Sequence, residues 1–211
     1  MMNNNLLPLA KEGWKYTGYS LLAFIIFAIL DLEPLEYLSF VVVIFFIYLF
    51  RNPERVVQHL DSGSLLSPVD GFVLSIENVK DSQYAYKVEI QSSYSDVSIL
   101  RTPFDSTLVS SKIYTGSKLS NYSPLSKKIN SKAELLFEDE NSNKIRVVHT
   151  LKQSFNELKV DAVVSQKLTK GLRYGSMING TTTLYIPSNF RLSVNVGNRV
   201  EGSQTLVGYF S

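Results

Sequence analysis

The sequence predicts a mainly β domain, a sandwich or barrel, preceded by an α-helical membrane hairpin. Three observations predict it. Two long uncharged apolar runs lie near the N-terminus. Beyond residue 56, short runs rich in β-branched and aromatic residues recur. Turn-forming pairs separate those runs, the pattern of all-β architectures. The expected organisation is an N-terminal segment over 1–15, the hairpin over 16–50 and the β-rich domain over 51–211.

Asn3-Asn-Asn5 reads as a disordered start. The stretches Tyr16 to Leu30 and Tyr37 to Phe50 carry no charge, and Asp31, Glu33, Pro34 and Glu36 lie between them. Each run is shorter than the ~20 residues that cross a bilayer comfortably. Phe40-Val-Val-Val-Ile-Phe-Phe-Ile-Tyr-Leu-Phe50 is apolar on every helical face, which favours a membrane hairpin over the plainer alternative of a buried core hairpin. Two short passes and a re-entrant pair confined to one leaflet both fit. A cleaved signal peptide fits poorly, because no small-x-small site follows the first run and a second run follows at once. Lys11 and Lys15 precede the hairpin, Arg51 and Arg55 follow it, and the turn carries only acids. The positive-inside rule then puts both ends on the cytoplasmic side of a bacterial inner membrane. Trp14, Tyr16, Tyr19, Tyr37 and Tyr48 are candidate interfacial anchors.

Pro53 is placed to open a helix over Glu54 to Leu60. Tyr86, Val88 and Ile90 alternate with Lys87 and Glu89, the period-two pattern of a half-buried strand. Further strands are expected at Phe72–Ile76, Tyr84–Ile90, Val97–Leu100, Glu134–Phe137, Lys144–Leu151, Val160–Val164, Thr182–Ile186 and Leu192–Val196. Asp70-Gly71, Thr115-Gly116, Glu140 to Asn143, Gly197-Asn198 and Glu201-Gly202 supply the turns.

Composition removes several functions. The formal net charge of +2, without any Lys/Arg block, gives nucleic acid no footprint. With no cysteine there is no disulfide framework, thiolate nucleophile or Cys-based zinc site. His59 and His149 are the only histidines and no HExxH spacing occurs, so no metal is expected. Neither GxxxxGK nor GxGxxG is present. His59 is expected in solvent or at a lipid headgroup.

The most specific segment is Gly171-Leu-Arg-Tyr-Gly175-Ser-Met-Ile-Asn-Gly180-Thr181. Taken with Phe50-Arg-Asn-Pro-Glu-Arg55 and Ser67-Pro-Val-Asp-Gly71, it resembles the short, membrane-anchored bacterial phosphatidylserine decarboxylases. The family frame Gly-x-Arg-Phe-Gly, four residues, then Gly-Ser, aligns with Gly171 to Thr181 without a gap. Tyr185-Ile-Pro187 matches the family's Tyr-Leu-Pro one residue early. Asp96-Val-Ser98-Ile-Leu-Arg101-Thr-Pro103 matches Asp-Val-His-x-x-Arg-x-Pro, with Ser98 in place of His. Lys144 to Thr150 fits the family strand written Val-Val-Gln-Ile, and Asn130-Ser-Lys132 blurs its Asn-Glu-Arg. The tail Val196 to Gly208 resembles the half-motif of lipoyl-type β-sandwiches, with a pair of tight hairpins as the plainer reading; no Lys sits between its glycines to be lipoylated.

The resemblance implies a pyruvoyl-type carboxy-lyase of phospholipid biosynthesis, converting phosphatidylserine or a related aminophospholipid to phosphatidylethanolamine. In that family a Gly-Ser bond breaks itself and the new N-terminal residue becomes a keto cofactor. The corresponding pair here is Gly180-Thr181, and a keto group made from Thr181 would be 2-oxobutanoyl. Glycine permits the strained backbone that such attack needs. Asp70 takes the place of the family Asp that assists cleavage, and Ser98 that of the assisting His. A Ser hydroxyl is a poor base near neutral pH, whereas imidazole titrates there. Arg101 is a candidate for the substrate phosphate or carboxylate, and equally for a structural ion pair. His149 is a candidate substitute in the relay or substrate site, and equally a half-buried or surface strand residue. Thr181-Thr-Thr183 also fits a plain β-turn entering a strand, and Gly175-Ser176 is an alternative cleavage pair five residues early. The partners implied are the phospholipid membrane, an aminophospholipid headgroup and a homo-oligomer or active paralogue. The rival function is an uncleaved paralogue that binds lipid or regulates an active partner.

Overall fold

The computed structural model describes residues 7–57, 63–79, 83–120, 123 and 125–211. Asn3 to Asn5 and His59 lie outside the described residues. The described residues divide into two compact units, one ending at Glu54 and one beginning at Arg55.

The first unit is a helical hairpin of α1 (Gly13–Ile29) and α2 (Glu33–Leu49). Asp31, in the left-handed region at φ 56°, turns the chain between them. Tyr16 stacks on Phe46 and Phe50 at centroid distances of 5.5 and 5.4 Å. A Cβ on Gly13 would lie 2.4 Å from Phe50 Cβ, so the closing contact needs glycine there. The Ser20 and Ser39 hydroxyls donate to the carbonyls three residues back, at 3.0 and 2.8 Å, which satisfies them inside apolar helices. Leu21, Leu22, Ile25, Phe40, Val41 and Phe45 remain exposed, a larger apolar surface than a water-bathed hairpin tolerates. Each helix has 17 residues, a length of about 25 Å. No helix among the described residues is long and apolar enough to cross a membrane.

The second unit is almost entirely antiparallel β structure. Its strands are β1 (Ser64–Leu66), β2 (Gly71–Asn78), β3 (Tyr86–Ser92), β4 (Ile99–Arg101), β5 (Ser106–Tyr114), β6 (Lys132–Glu138) and β7 (Lys144–Leu151). They continue with β8 (Lys159–Val160), β9 (Lys167–Leu168), β10 (Arg173–Ser176), β11 (Gly180–Ile186), β12 (Phe190–Leu192), β13 (Arg199–Val200) and β14 (Leu206–Phe210). One short helix, α3 (Ser126–Ile129), precedes β6. The main sheet runs β13-β2-β3-β11-β7-β6-β5-β9, and two three-stranded sheets run β1-β14-β12 and β4-β10-β8. Strands β6 and β7 alternate buried and half-buried residues, so one face carries the core and the other meets solvent. The core gathers Val88, Ile90, Leu135, Phe137, Val147 and Leu184.

β11 lies at the centre of the main sheet, and its Thr-Thr-Thr-Leu-Tyr-Ile sequence suits a strand packed on both faces. The expected helix over 54–60 is not formed in its described part: Glu54 to Val57 have no helical turn, and Gln58 to Leu60 lie outside the described residues. The physical reason is Arg55, whose guanidinium is drawn into a buried ion pair with Asp70. The C-terminal tail also departs from a simple hairpin pair. β13 joins β2 in the main sheet, whereas β14 pairs with β1 and β12.

Candidate active site

The segment from Gly171 to Thr181 folds as β10, a turn, and the start of β11. Its two arms belong to different sheets, because β10 pairs with β4 and β8 while β11 pairs with β3 and β7. Asn179 immediately precedes Gly180 and has φ 56°, a left-handed conformation uncommon outside glycine but tolerated by Asn. Two backbone bonds pin the turn. Met177 N donates to Ser98 O at 2.7 Å, and Lys152 N donates to Asn179 O at 3.1 Å. A Cβ on Gly180 would come 2.5 Å from Met177 Sδ and 2.7 Å from Thr150 O, so no larger residue fits. Gly175 and Ser176 instead lie within the small sheet. A Cβ on Gly175 would sit 2.2 Å from Lys159 O, which gives that glycine a packing reason of its own.

Gly180 faces Ser92 on β3 and Leu151 on β7, and Thr181 faces Gln91 and Thr150. Side chains alternate along a strand, so Thr181 and Thr182 point to opposite faces. Thr181 is buried at 8% exposure, and its hydroxyl has no hydrogen-bond partner. It faces a cavity of about 430 Å³ over the outer side of the main sheet, also lined by Lys87, Glu89, Lys132, Arg146 and Lys152. Lys87 bonds Glu89 at 2.9 Å and Glu77 at 3.2 Å. Burial opposes the Lys87 charge, but these two carboxylates outweigh it and hold the ammonium above its ordinary range. The Arg146 guanidinium lies 4.0 Å from the Tyr185 ring centroid, a cation–π contact.

Asp70 ends the turn before β2 and is buried. Arg55 grips its carboxylate with both terminal nitrogens, at 2.5 and 2.7 Å, and Gly202 N donates to the same carboxylate at 2.8 Å. Burial disfavours the Arg55 charge, yet the Asp70 contacts overcome it and raise the guanidinium above its usual value. The Asp70 carbonyl accepts from Ser92 Oγ at 2.6 Å, and Ser92 is the strand partner of Gly180. Ser98 reaches Gly180 from the other direction, through Met177. Its hydroxyl is buried and has no hydrogen-bond partner. The Asp70 and Ser98 carbonyls are thus each linked to Gly180 through one intervening residue, Ser92 or Met177, and neither side chain bonds the Thr181 hydroxyl. Arg101 is buried at the other end of the segment and donates to Gly171 O at 3.3 Å. It is not among the residues lining the cavity that Thr181 faces.

His149 differs from the half-buried or surface reading. It is fully buried on the core face of β7, opposite Thr182. Its Nδ1 lies 2.8 Å from Thr182 Oγ1 and its Nε2 2.7 Å from the Tyr174 hydroxyl. Burial pushes the imidazole down to about 3 and raises the Tyr174 phenol, so both are neutral at physiological pH. With both nitrogens engaged in the core, His149 is on the opposite face from the Thr181 cavity. Among the described residues, no group of three or more His, Cys, Asp and Glu is placed to hold a metal ion.

Sequence reasoning did not single out Arg55 as the holder of Asp70, Lys152 as a wall of the cavity, or the Tyr174–His149–Thr182 chain. Arg55 stood in a recognised motif and among the cations flanking the hairpin, with no role assigned at the site. The alternation of Ile145, Val147 and His149 was the available sign that His149 faces inward.

Comparison with known proteins identifies a family. The profile of the family described as phosphatidylserine decarboxylase matches residues 42–208. Similar proteins include a phosphatidylserine decarboxylase proenzyme of Geotalea uraniireducens (strain Rf4), 26% identical over 98% of this chain and 99% of that protein. Others are the proenzymes of Desulfotalea psychrophila, 27% identical over 96% of each chain, and Ehrlichia chaffeensis, 28% identical over 99% of this chain and 94% of that protein. With the matched segment covering most of the chain and containing Asp70, Ser98, Gly180 and Thr181, this protein belongs to the phosphatidylserine decarboxylase family.

Proposed function

We propose that the chain is a self-processing decarboxylase of phosphatidylserine, or a closely related aminophospholipid, and that Thr181 is its cleaving residue. One observation carries the reading: a buried hydroxyl without a partner stands on the residue after Gly180, directly beyond the left-handed Asn179. The Thr181 hydroxyl would attack the carbonyl of the residue before it, where Gly180 offers no side chain to obstruct the approach. Attack on the Gly180 carbonyl moves the acyl group from the Thr181 nitrogen to its oxygen, forming an ester. Loss of the Thr181 α-proton then expels Gly180 as a carboxylate and leaves a dehydro residue. Water converts that residue to 2-oxobutanoyl with release of ammonia. Such a keto group, once formed, supplies the electron sink that decarboxylation requires. No side-chain base bonds the Thr181 hydroxyl in the uncut chain, so cleavage is expected to be slow.

Asp70, locked by Arg55 and Gly202, orients the β2–β3 edge against Gly180 through Ser92. Ser98 holds the turn through Met177. Arg101 is the proposed guardian of the segment's entry at Gly171, with substrate contact as a later role once the chain is cut. The apolar hairpin anchors the chain to the inner membrane, with residues 51–211 on the cytoplasmic side, where the lipid headgroup is met without leaving the interface.

The test is the intact mass of the full chain purified from membranes. A fragment covering 181–211 with a blocked, keto-bearing N-terminus supports self-processing. An uncut chain after prolonged incubation removes the keto mechanism and leaves lipid binding or partner regulation as the function.

A further inference from the structure

The two arms of the cleavage segment share no ladder among the described residues, because β10 and β11 belong to different sheets. The Met177 and Asn179 backbone bonds pin the turn itself, and a side-chain tie between the arms adds to them. The turn between them is short, running from Met177 to Asn179. Tyr174 lies on the first arm, Thr182 on the second, and both are fully buried. His149 bridges them, at 2.7 Å from the Tyr174 hydroxyl and 2.8 Å from Thr182 Oγ1. A neutral imidazole has one donor and one acceptor, and each hydroxyl can play either part, so the bridge is complete in either tautomer. Its base is rigid, since His149 is a central β7 residue flanked by β6 and β11. The Phe137 ring packs against Tyr174 at 5.7 Å and blocks the phenol from swinging aside.

We propose that His149 is a positioning residue: by tying Tyr174 to Thr182 it holds β10 and β11 at a set separation and thereby fixes the turn that presents the Gly180–Thr181 bond. It touches neither reacting atom, because Thr181 points to the opposite face. The consequence for cleavage rests on the self-processing reading above, whereas the mechanical part does not. A buried network in which every member is satisfied holds one geometry, and a partly satisfied one does not.

The test uses the full chain in detergent micelles, with two readouts on each variant: backbone amide hydrogen exchange over residues 177–182 and the rate of appearance of the 181–211 fragment. Tyr174→Phe removes one hydroxyl while keeping the ring. His149→Leu removes both bonds, and His149→Gln keeps one donor and one acceptor. Tyr174→Phe is expected to speed exchange at the turn by about tenfold, the equivalent of one lost hydrogen bond, and His149→Leu, which loses two, by at least as much. Cleavage in those variants is expected to slow by about tenfold to a hundredfold, the sensitivity of a reaction to small misplacement. His149→Gln is expected to recover both readouts to within about threefold of the original chain. Unchanged exchange in Tyr174→Phe and His149→Leu overturns the proposal, as does His149→Gln as loose as His149→Leu. If His149→Leu does not fold, Tyr174→Phe alone decides. If the original chain stays uncut, exchange still decides the bridge, and only the self-processing reading falls.

Discussion

Acidification should destabilise this protein through His149, by an amount set by its burial. In the unfolded chain an imidazole takes up a proton below about pH 6.5. Folded His149, enclosed in the core, remains neutral until about pH 3. Between those values the unfolded state binds the extra proton, so stability is complete above about pH 6.5 and falls as the pH drops. Each pH unit in that window costs about 1.4 kcal/mol, so a change from about pH 7.5 to about pH 5 removes roughly 2 kcal/mol. For a chain of this size that corresponds to roughly 4–8 °C in Tm. Other carboxylates titrate in the same range, so the comparison must be with His149→Gln, which cannot take up the proton. The assay is thermal unfolding of both proteins at the two pH values, followed by Tyr and Trp fluorescence. The original chain should lose about 4–8 °C more than the variant. Equal losses would refute the reasoning, because they would mean that His149 protonates while folded.

Three further outcomes follow from the geometry. Arg55→Met leaves the Asp70 carboxylate buried without its partner and should cost about 3–5 kcal/mol in denaturant unfolding; the double variant Arg55→Met with Asp70→Leu should recover much of it. Gly180→Ala drives a methyl against Met177 Sδ and the Thr150 carbonyl and should destabilise by about 1–3 kcal/mol, and adding Met177→Ala should restore only part, because the Thr150 contact is backbone. Thr181→Ser with Ser98→His restores the family's hydroxyl and base next to the pinned turn and should speed appearance of the 181–211 fragment by about 10²–10⁴-fold. An uncut double variant would place the obstacle in the loop itself, where Tyr185-Ile-Pro187 stands one residue early.

Much of the architecture is legible in residue order. Uncharged runs interrupted by three acids specify a helical hairpin, since a stretch apolar on every face has only lipid or core to enter. Alternation marks β3 and β7 because one face of each is buried and the other is not. β5 escapes that reading: Ser106 to Tyr114 is rich in serine, and its outer half is exposed on both faces. β8, β9 and β13 have two residues each, too few to show any period. β10 is hidden because Gly175 looks like a loop residue, whereas it is a strand position against which the Lys159 carbonyl packs.

The site divides along the same line. Asp70, Ser98, Gly180 and Thr181 can be picked out by their spacing within motifs, a property of the chain in one dimension. Which way each hydroxyl points is not. Register and the two-residue period of β11 send Thr181 to the outer cavity and Thr182 to the core, and a slip by one residue would exchange them. The same folding brings Arg55 to Asp70 across the β2 turn and places His149 between two sheets. Those contacts join residues far apart in the chain. Their energies depend on the exclusion of water, which exists only once the sheets have packed.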